Sequence, residues 1–285
     1  MAWGVQRLRE LIGRECPLAE VSRALLGFVR STCAPVVGAM EVTCSDECEH
    51  ECAAVFQSHF VEQALPPLKS GLRAAFRTRN LGARYEWGSV HIAEHHYATQ
   101  SSATAYKLMI VKINSHVAVW DQDGRLRFGP MQRYETASTA CGALHALLAG
   151  GQLPALDELR ELFCRDGLDR IGVLCNPARV DPDHRALFAS VVAAQLQARR
   201  AVEDIRSRPP HSPTLFLVVA CTTLNQPGPD TELVCGYHVI DRRAGGRADK
   251  FLGLGDDPAA YRLDRTPRGL VLHACPNARR PSPTV

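Results

Sequence analysis

The run from Glu41 to Cys52, EVTCSDECEHEC, sets Cys44, Cys48 and Cys52 at four-residue spacing among acidic side chains. Three thiolates can hold a structural zinc or an iron–sulfur cluster. On a helix, however, this spacing puts the sulfurs in a row along one face rather than around a cluster. A second chemistry uses Cys44 with two residues distant in sequence, His116 and Cys141. Two cysteines and one histidine match the donor set of a catalytic zinc, which keeps its fourth position for water. Asp46, two residues beyond Cys44, is near enough to accept a hydrogen bond from such a water or to close the open position itself. Cys141 falls in the first turn of an expected helix, where a thiolate is favoured. Each residue also has a plainer role open to it. Buried cysteines pack as small hydrophobes, and His116 can be a hydrogen-bonded core imidazole. Cys141 and His145 have the spacing of a nucleophile–base pair but no evident third member, and Gly253-Leu254-Gly255 is too sparse to cradle phosphate.

The elements that must position these residues read as an alternation of helices and strands. Leu8, Leu11, Ile12, Val21, Leu25, Leu26 and Val29 recur at helical spacing, so residues 1–34 are expected to be helical. A strand over 39–43 ends at Cys44, and a helix follows from Ser45 through Cys52, Phe56 and His59. A further helix is expected over 67–79 and a strand over 88–93. The β-prone runs 107–113 and 116–120 precede an Asp-Gly turn and a returning strand over 125–129, which reads as a hairpin. Helices are expected over 138–149, 156–164 and 181–207, and strands over 170–174, 215–220 and 234–240. The run 215–220 has no polar residue, as in a sheet covered on both faces. From Arg262 onward the composition suggests a partly ordered tail. The expected class is α/β, a mixed sheet flanked by helices.

The 285 residues suffice for one large α/β domain or two small ones, with a division near 155 conceivable. The formal charge of +3 comes from dispersed basic residues, so no nucleic-acid partner is expected. No apolar run approaches membrane-span length, and the first residues lack the apolar core of a secretory signal. A cytoplasmic protein with no membrane partner is therefore expected. An odd count of 11 cysteines then argues against a disulfide framework. Cys16, Cys33, Cys164 and Cys221 are expected as buried free thiols.

Three pieces, TCSDE (Thr43–Glu47), INSHVAV (Ile113–Val119) followed by Gly124 and Gly129, and ACGALHALL (Ala140–Leu148), resemble in order and separation the limiting-CO2-inducible B family. RYEWGSVHIAEHH (Arg84–His96) and VVACTTLNQ (Val218–Gln226) extend the resemblance over most of 35–240. It implies a β-carbonic-anhydrase-like fold and a zinc-binding α/β domain over 35–240; the N-terminal helical segment over 1–34 and a C-terminal extension over 241–285 flank that domain and are not explained by the resemblance. It also implies zinc held by Cys44, His116 and Cys141, with Asp46 as the active-site aspartate. The implied reaction is reversible hydration of CO2 to bicarbonate by a zinc-bound hydroxide, in a homodimer. His91, His95 and His96 are candidate proton shuttles because histidine titrates near neutrality; their alternative is a solvated strand or loop. One departure matters. The β-class pattern Cys-x-Asp-x-Arg supplies an arginine that restrains the aspartate, and here Cys48 takes its place. Arg73, Arg77 or Arg84 is the expected substitute. Without one, Asp46 can close the metal site, leaving a catalytically silent zinc-binding or regulatory subunit as the second expectation.

Overall fold

The computed structural model describes residues 2–45, 49–68, 70–97, 106–122, 125–129, 184–243, 249–254 and 261–274. Two helices, α1 (Ala2–Leu11) and α2 (Leu18–Thr32), flank a three-residue strand β1 (Glu15–Pro17). Then come β2 (Val36–Cys44) and α3 (His50–Phe56), which runs through a π-helical turn over 57–61 into the short α4 (Glu62–Ala64). Next are β3 (Phe76–Asn80), α5 (Ser89–His96), β4 (Lys107–Gln122) and β5 (Arg125–Gly129). The long helix α6 (Arg185–Ser207) leads into β6 (Thr214–Asn225), β7 (Thr231–Arg242), β8 (Asp249–Gly253), β9 (Tyr261–Thr266) and β10 (Gly269–Ala274).

One eight-stranded sheet runs β1-β7-β6-β4-β2-β3, with β5 beside β4 and β8 beside β7. Its centre is parallel: β3, β2, β4 and β6 all run the same way. β7 turns back antiparallel on β6, and β1, β8 and β5 pair antiparallel. The sheet is therefore mixed, as expected. Alternation along β4 shows how both faces are covered, since neighbouring strand residues point to opposite sides. Met109, Val111, Ile113, Val117 and Val119 pack in the cluster that contains α6. Leu108 and Ile110 pack in the cluster built from α1, α2 and α3. Residues 186–198 of α6 are all buried, so this helix is a core element rather than a surface one.

Several expectations need correction. Residues 67–79 are not a helix: Gly71 stands at φ 81 and the segment ends as edge strand β3, whose burial alternates in the strand period. Residues 89–96 are a helix, not a strand. Val90, Ala93 and Glu94 are buried while Ile92 is exposed, which is helical spacing. The runs 107–113 and 116–120 are one strand, because β6 pairs without a break from Lys107 to Ala118. The N-terminal helices are interrupted at β1, which pairs with β7. After Arg262 the chain forms the hairpin β9–β10, turning at Gly269 with φ 107. Cys16 and Cys221 are buried free thiols, but Cys33 is exposed. The β4–β5 hairpin, α6 and the strands β6 and β7 lie where the sequence puts them. The expected elements over 138–149, 156–164 and 170–174 lie outside the described residues. Among the described residues, no helix is long and apolar enough to cross a membrane.

Candidate metal centre

Cys44 is the last residue of β2, and the register with β4 ends one residue earlier, at Thr43 opposite Asn114. β4 runs on beside β6, carrying His116 past the end of β2. The two side chains belong to opposite strand parities. Cys44 continues the side of Met40 and Val42, and His116 the side of Leu108 and Ile110. They nevertheless lie near enough to be coupled electrostatically, the Cys44 sulfur acting on the protonation of the imidazole. A strand's terminal residue can turn over the sheet edge in a way that an interior residue cannot. The turn after β3 holds it there. Gly82, at φ 70, presents its N–H to Cys44 Sγ at 3.2 Å, and Ser45 N–H bonds Asn80 O at 3.1 Å. Cys44 is 2% exposed and His116 0%.

The electrostatics of the pair follow from burial and from what lies around it. Burial works to lower the His116 pKa, but the neighbouring Cys44 sulfur and the charge of Glu49 outweigh it, raising it to about 9. Glu49, just before α3, is pushed up to about 7 by burial, against the opposing effects of His116 and a hydrogen bond from Asn114. Asn114 Nδ2 donates to Glu49 Oε2 at 2.6 Å and also bonds Thr223 Oγ1. Glu49 Oε1 is buried with no hydrogen-bond partner. On the far side of the ring, His116 Nδ1 lies 3.0 Å from Asn225 Oδ1.

A buried ionic layer lies beneath, on the same side of the sheet. Lys112 Nζ pairs with Glu232 Oε1 at 2.6 Å, bonds Cys52 Sγ at 3.2 Å and sits over the Phe56 ring. Arg77 of β3 pairs with Glu41 of β2 at 3.1 Å. Of the site residues expected from sequence, Cys44 and His116 come together, while Asp46, Cys48 and Cys141 lie outside the described residues. Cys52 turns to Lys112 and Asn114. His91 is buried in α5 against the Asp204 carbonyl at 2.9 Å, His95 meets the His211 ring at a tilt, and His96 lies against Phe76. Arg73 bonds the Glu62 carbonyl, so both Arg73 and Arg77 are committed elsewhere. Glu41, Glu49, Lys112, Asn114, Asn225 and Glu232 did not stand out by motif. For Glu41, Lys112 and Asn114 the signal is a charged or amide residue inside an otherwise apolar strand, as in AMEVTC and MIVKINS, whereas Glu49 stands in an acidic run that reads as a solvated helix face and is buried instead.

A thiol and an imidazole, buried together, suit a borderline-soft ion such as zinc, and a ring whose outer nitrogen is hydrogen-bonded is typical of a metal-bound histidine. Among the described residues, no group of three or more His, Cys, Asp and Glu stands ready to hold a metal ion. The site as described therefore supplies two donors.

A helix-covered mixed sheet with a parallel centre, carrying these donors where β2 ends, defines an α/β protein with a candidate metal centre. More particularly, it is the fold of the limiting-CO2-inducible B proteins. The crystal structure of PtLCIB4, a homologue of the limiting CO2-inducible protein LCIB, superposes with a TM-score of 0.59 at 16% identity, covering 87% of this chain and 100% of that one. Two point variants of PtLCIB4 superpose with TM-scores of 0.57 and 0.53 at 15% identity, covering 86% and 87% of this chain and 96% and 99% of theirs. At such identities the likeness establishes the fold. No family model matches the chain, and no curated protein matches it.

Proposed function

We propose that this chain binds zinc through Cys44 and His116, with Cys141 as third ligand, and catalyses the reversible hydration of CO2 to bicarbonate. The observation that carries this reading is the buried Cys44–His116 pair at the end of β2, in a fold shared with an LCIB homologue. Zinc, when bound, supplies a Lewis acid that makes water nucleophilic at neutral pH. The chain's own residues do the rest. Gly82 N–H holds the Cys44 sulfur, and Asn225 holds the His116 ring. Glu49 accepts from Asn114 at Oε2 and can hold a proton at Oε1, and its carboxyl titrates near 7. Asp46 is the catalytic carboxylate of this reading. We place the protein in the cytoplasm, as a homodimer.

A second reading has its own support. Two of the three arginines expected to restrain the aspartate have other partners, Arg73 the Glu62 carbonyl and Arg77 the Glu41 carboxylate. The alternative is a zinc-binding subunit without turnover, its metal closed by Asp46.

Metal analysis of the purified protein tests the shared part. One zinc per chain is expected, lost in Cys44→Ser, His116→Ala and Cys141→Ser; full zinc in these variants, or bound iron with visible colour, would sink it. Stopped-flow CO2 hydration then separates the enzyme from the silent subunit. Light scattering of the purified protein checks the dimer.

A further inference from the structure

His116 Nδ1 faces Asn225 Oδ1 at 3.0 Å, and both residues are buried. An asparagine amide has the same shape at both ends, so its second partner decides which end faces the ring. That partner is Asp230, just before β7, whose Oδ2 lies 2.9 Å from Asn225 Nδ2. A carboxylate only accepts hydrogen bonds, so the NH2 end must point to Asp230 and the carbonyl end to the imidazole. The amide oxygen likewise only accepts, so Nδ1 carries a proton. In the neutral ring the lone pair is then on Nε2. Asp230 is anchored in turn by the Gln226 backbone N–H, which donates to Oδ1 at 3.3 Å across the β6–β7 turn.

We propose that Asn225 and Asp230 form a positioning relay that fixes the tautomer and ring plane of His116, and so set the metal affinity of the centre. The proposal rests on the zinc reading above. Neither residue touches metal or substrate; each acts through the next. The competing account is that the two merely stabilise the β6–β7 turn.

Chelator-competition titration of zinc into the full chain distinguishes these accounts. Asn225→Leu removes the acceptor and is expected to weaken zinc binding about 10- to 100-fold. The exchange Asn225→Asp/Asp230→Asn keeps an acceptor facing the ring and a donor–acceptor contact behind it, and is expected to bind zinc with close to the wild-type affinity. Asp230→Ala leaves the amide free to turn over and is expected to weaken binding less than Asn225→Leu. Should Asn225→Leu fail to fold, Asp230→Ala and the exchange Asn225→Asp/Asp230→Asn carry the comparison. Nitrogen-resolved NMR of the zinc-loaded wild type should show His116 protonated at Nδ1 and metal-bound at Nε2; the reverse would overturn the relay. So would folded Asn225→Leu and Asp230→Ala proteins with wild-type zinc affinity, in which case the zinc reading survives. A wild-type chain that binds no zinc overturns the zinc reading and the relay with it.

Discussion

Lys112 is the most demanding single residue in this protein. Its ammonium is buried, and its charge is balanced by Glu232 at 2.6 Å. Removing one partner of such a pair leaves an uncompensated charge in the core, which costs about 3–5 kcal/mol. Lys112→Met is therefore expected to destabilise the protein by that amount in urea unfolding. The double variant Lys112→Met/Glu232→Gln should recover most of the loss, because the orphaned charge disappears with its partner. A result in which the double variant is as unstable as the single one would mean that the pair is not what balances Lys112. At this scale the sequence showed where a lysine interrupts an apolar strand, but not what answers it. Glu232 lies 120 residues away in the chain, on a strand that meets β4 only through β6.

At the scale of elements, Glu94 ties three of them together. It lies in the last turn of α5, pairs with Lys107 at the start of β4, and accepts from His211 N–H and Ser212 Oγ before β6. Burial alone would raise its pKa, but the Lys107 hydrogen bond and the His211 N–H outweigh burial and hold the carboxyl below its ordinary value of 4.5. A carboxyl depressed on folding contributes stability that is present above pH 4.5 and lost as pH falls through its folded pKa. Thermal unfolding of the wild type should thus show a falling melting temperature below pH 4.5. Glu94→Gln should be less stable at pH 7, by about 3–5 kcal/mol, and should show a flatter acid limb. An unchanged acid limb would assign it to other carboxylates. The elements themselves were partly readable. The apolar runs of β4 and β6 and the long period of α6 give their type locally. The segments over 67–79 and 88–93 were misread because their apolar spacing fits both periods. What decides between the periods is which residues face the sheet, and that is not a local property.

At the scale of the whole molecule, the segment after α1 meets the β9–β10 hairpin. Gly13, between α1 and β1, stands at φ 73, and its carbonyl accepts from Leu272 N–H of the C-terminal hairpin. A Cβ at Gly13 would come within 2.2 Å of the Leu272 carbonyl oxygen. Gly13→Ala must therefore move the hairpin as well as adopt a strained backbone, which costs on the order of 1–3 kcal/mol. Faster amide exchange at Leu270 and Leu272 is expected in this variant, with exchange at the centre of β4 little changed. Equal acceleration in both places would show that the hairpin and the sheet open as one unit.

The sequence by itself determined the α/β class, the buried strands at the sheet centre, and Cys44 as a thiol at a strand end, because hydrophobic period and turn residues are local quantities. It also put Cys44 and His116 in one constellation, through a resemblance rather than through spacing. Only the tertiary structure decided that these two meet across opposite strand parities, that Asn225 and Asp230 stand behind the ring, and that Lys112, Glu41 and Glu232 are buried rather than solvated. Those facts depend on strand order and register, where each pairing is chosen by residues far apart in the chain, and no single segment carries that information.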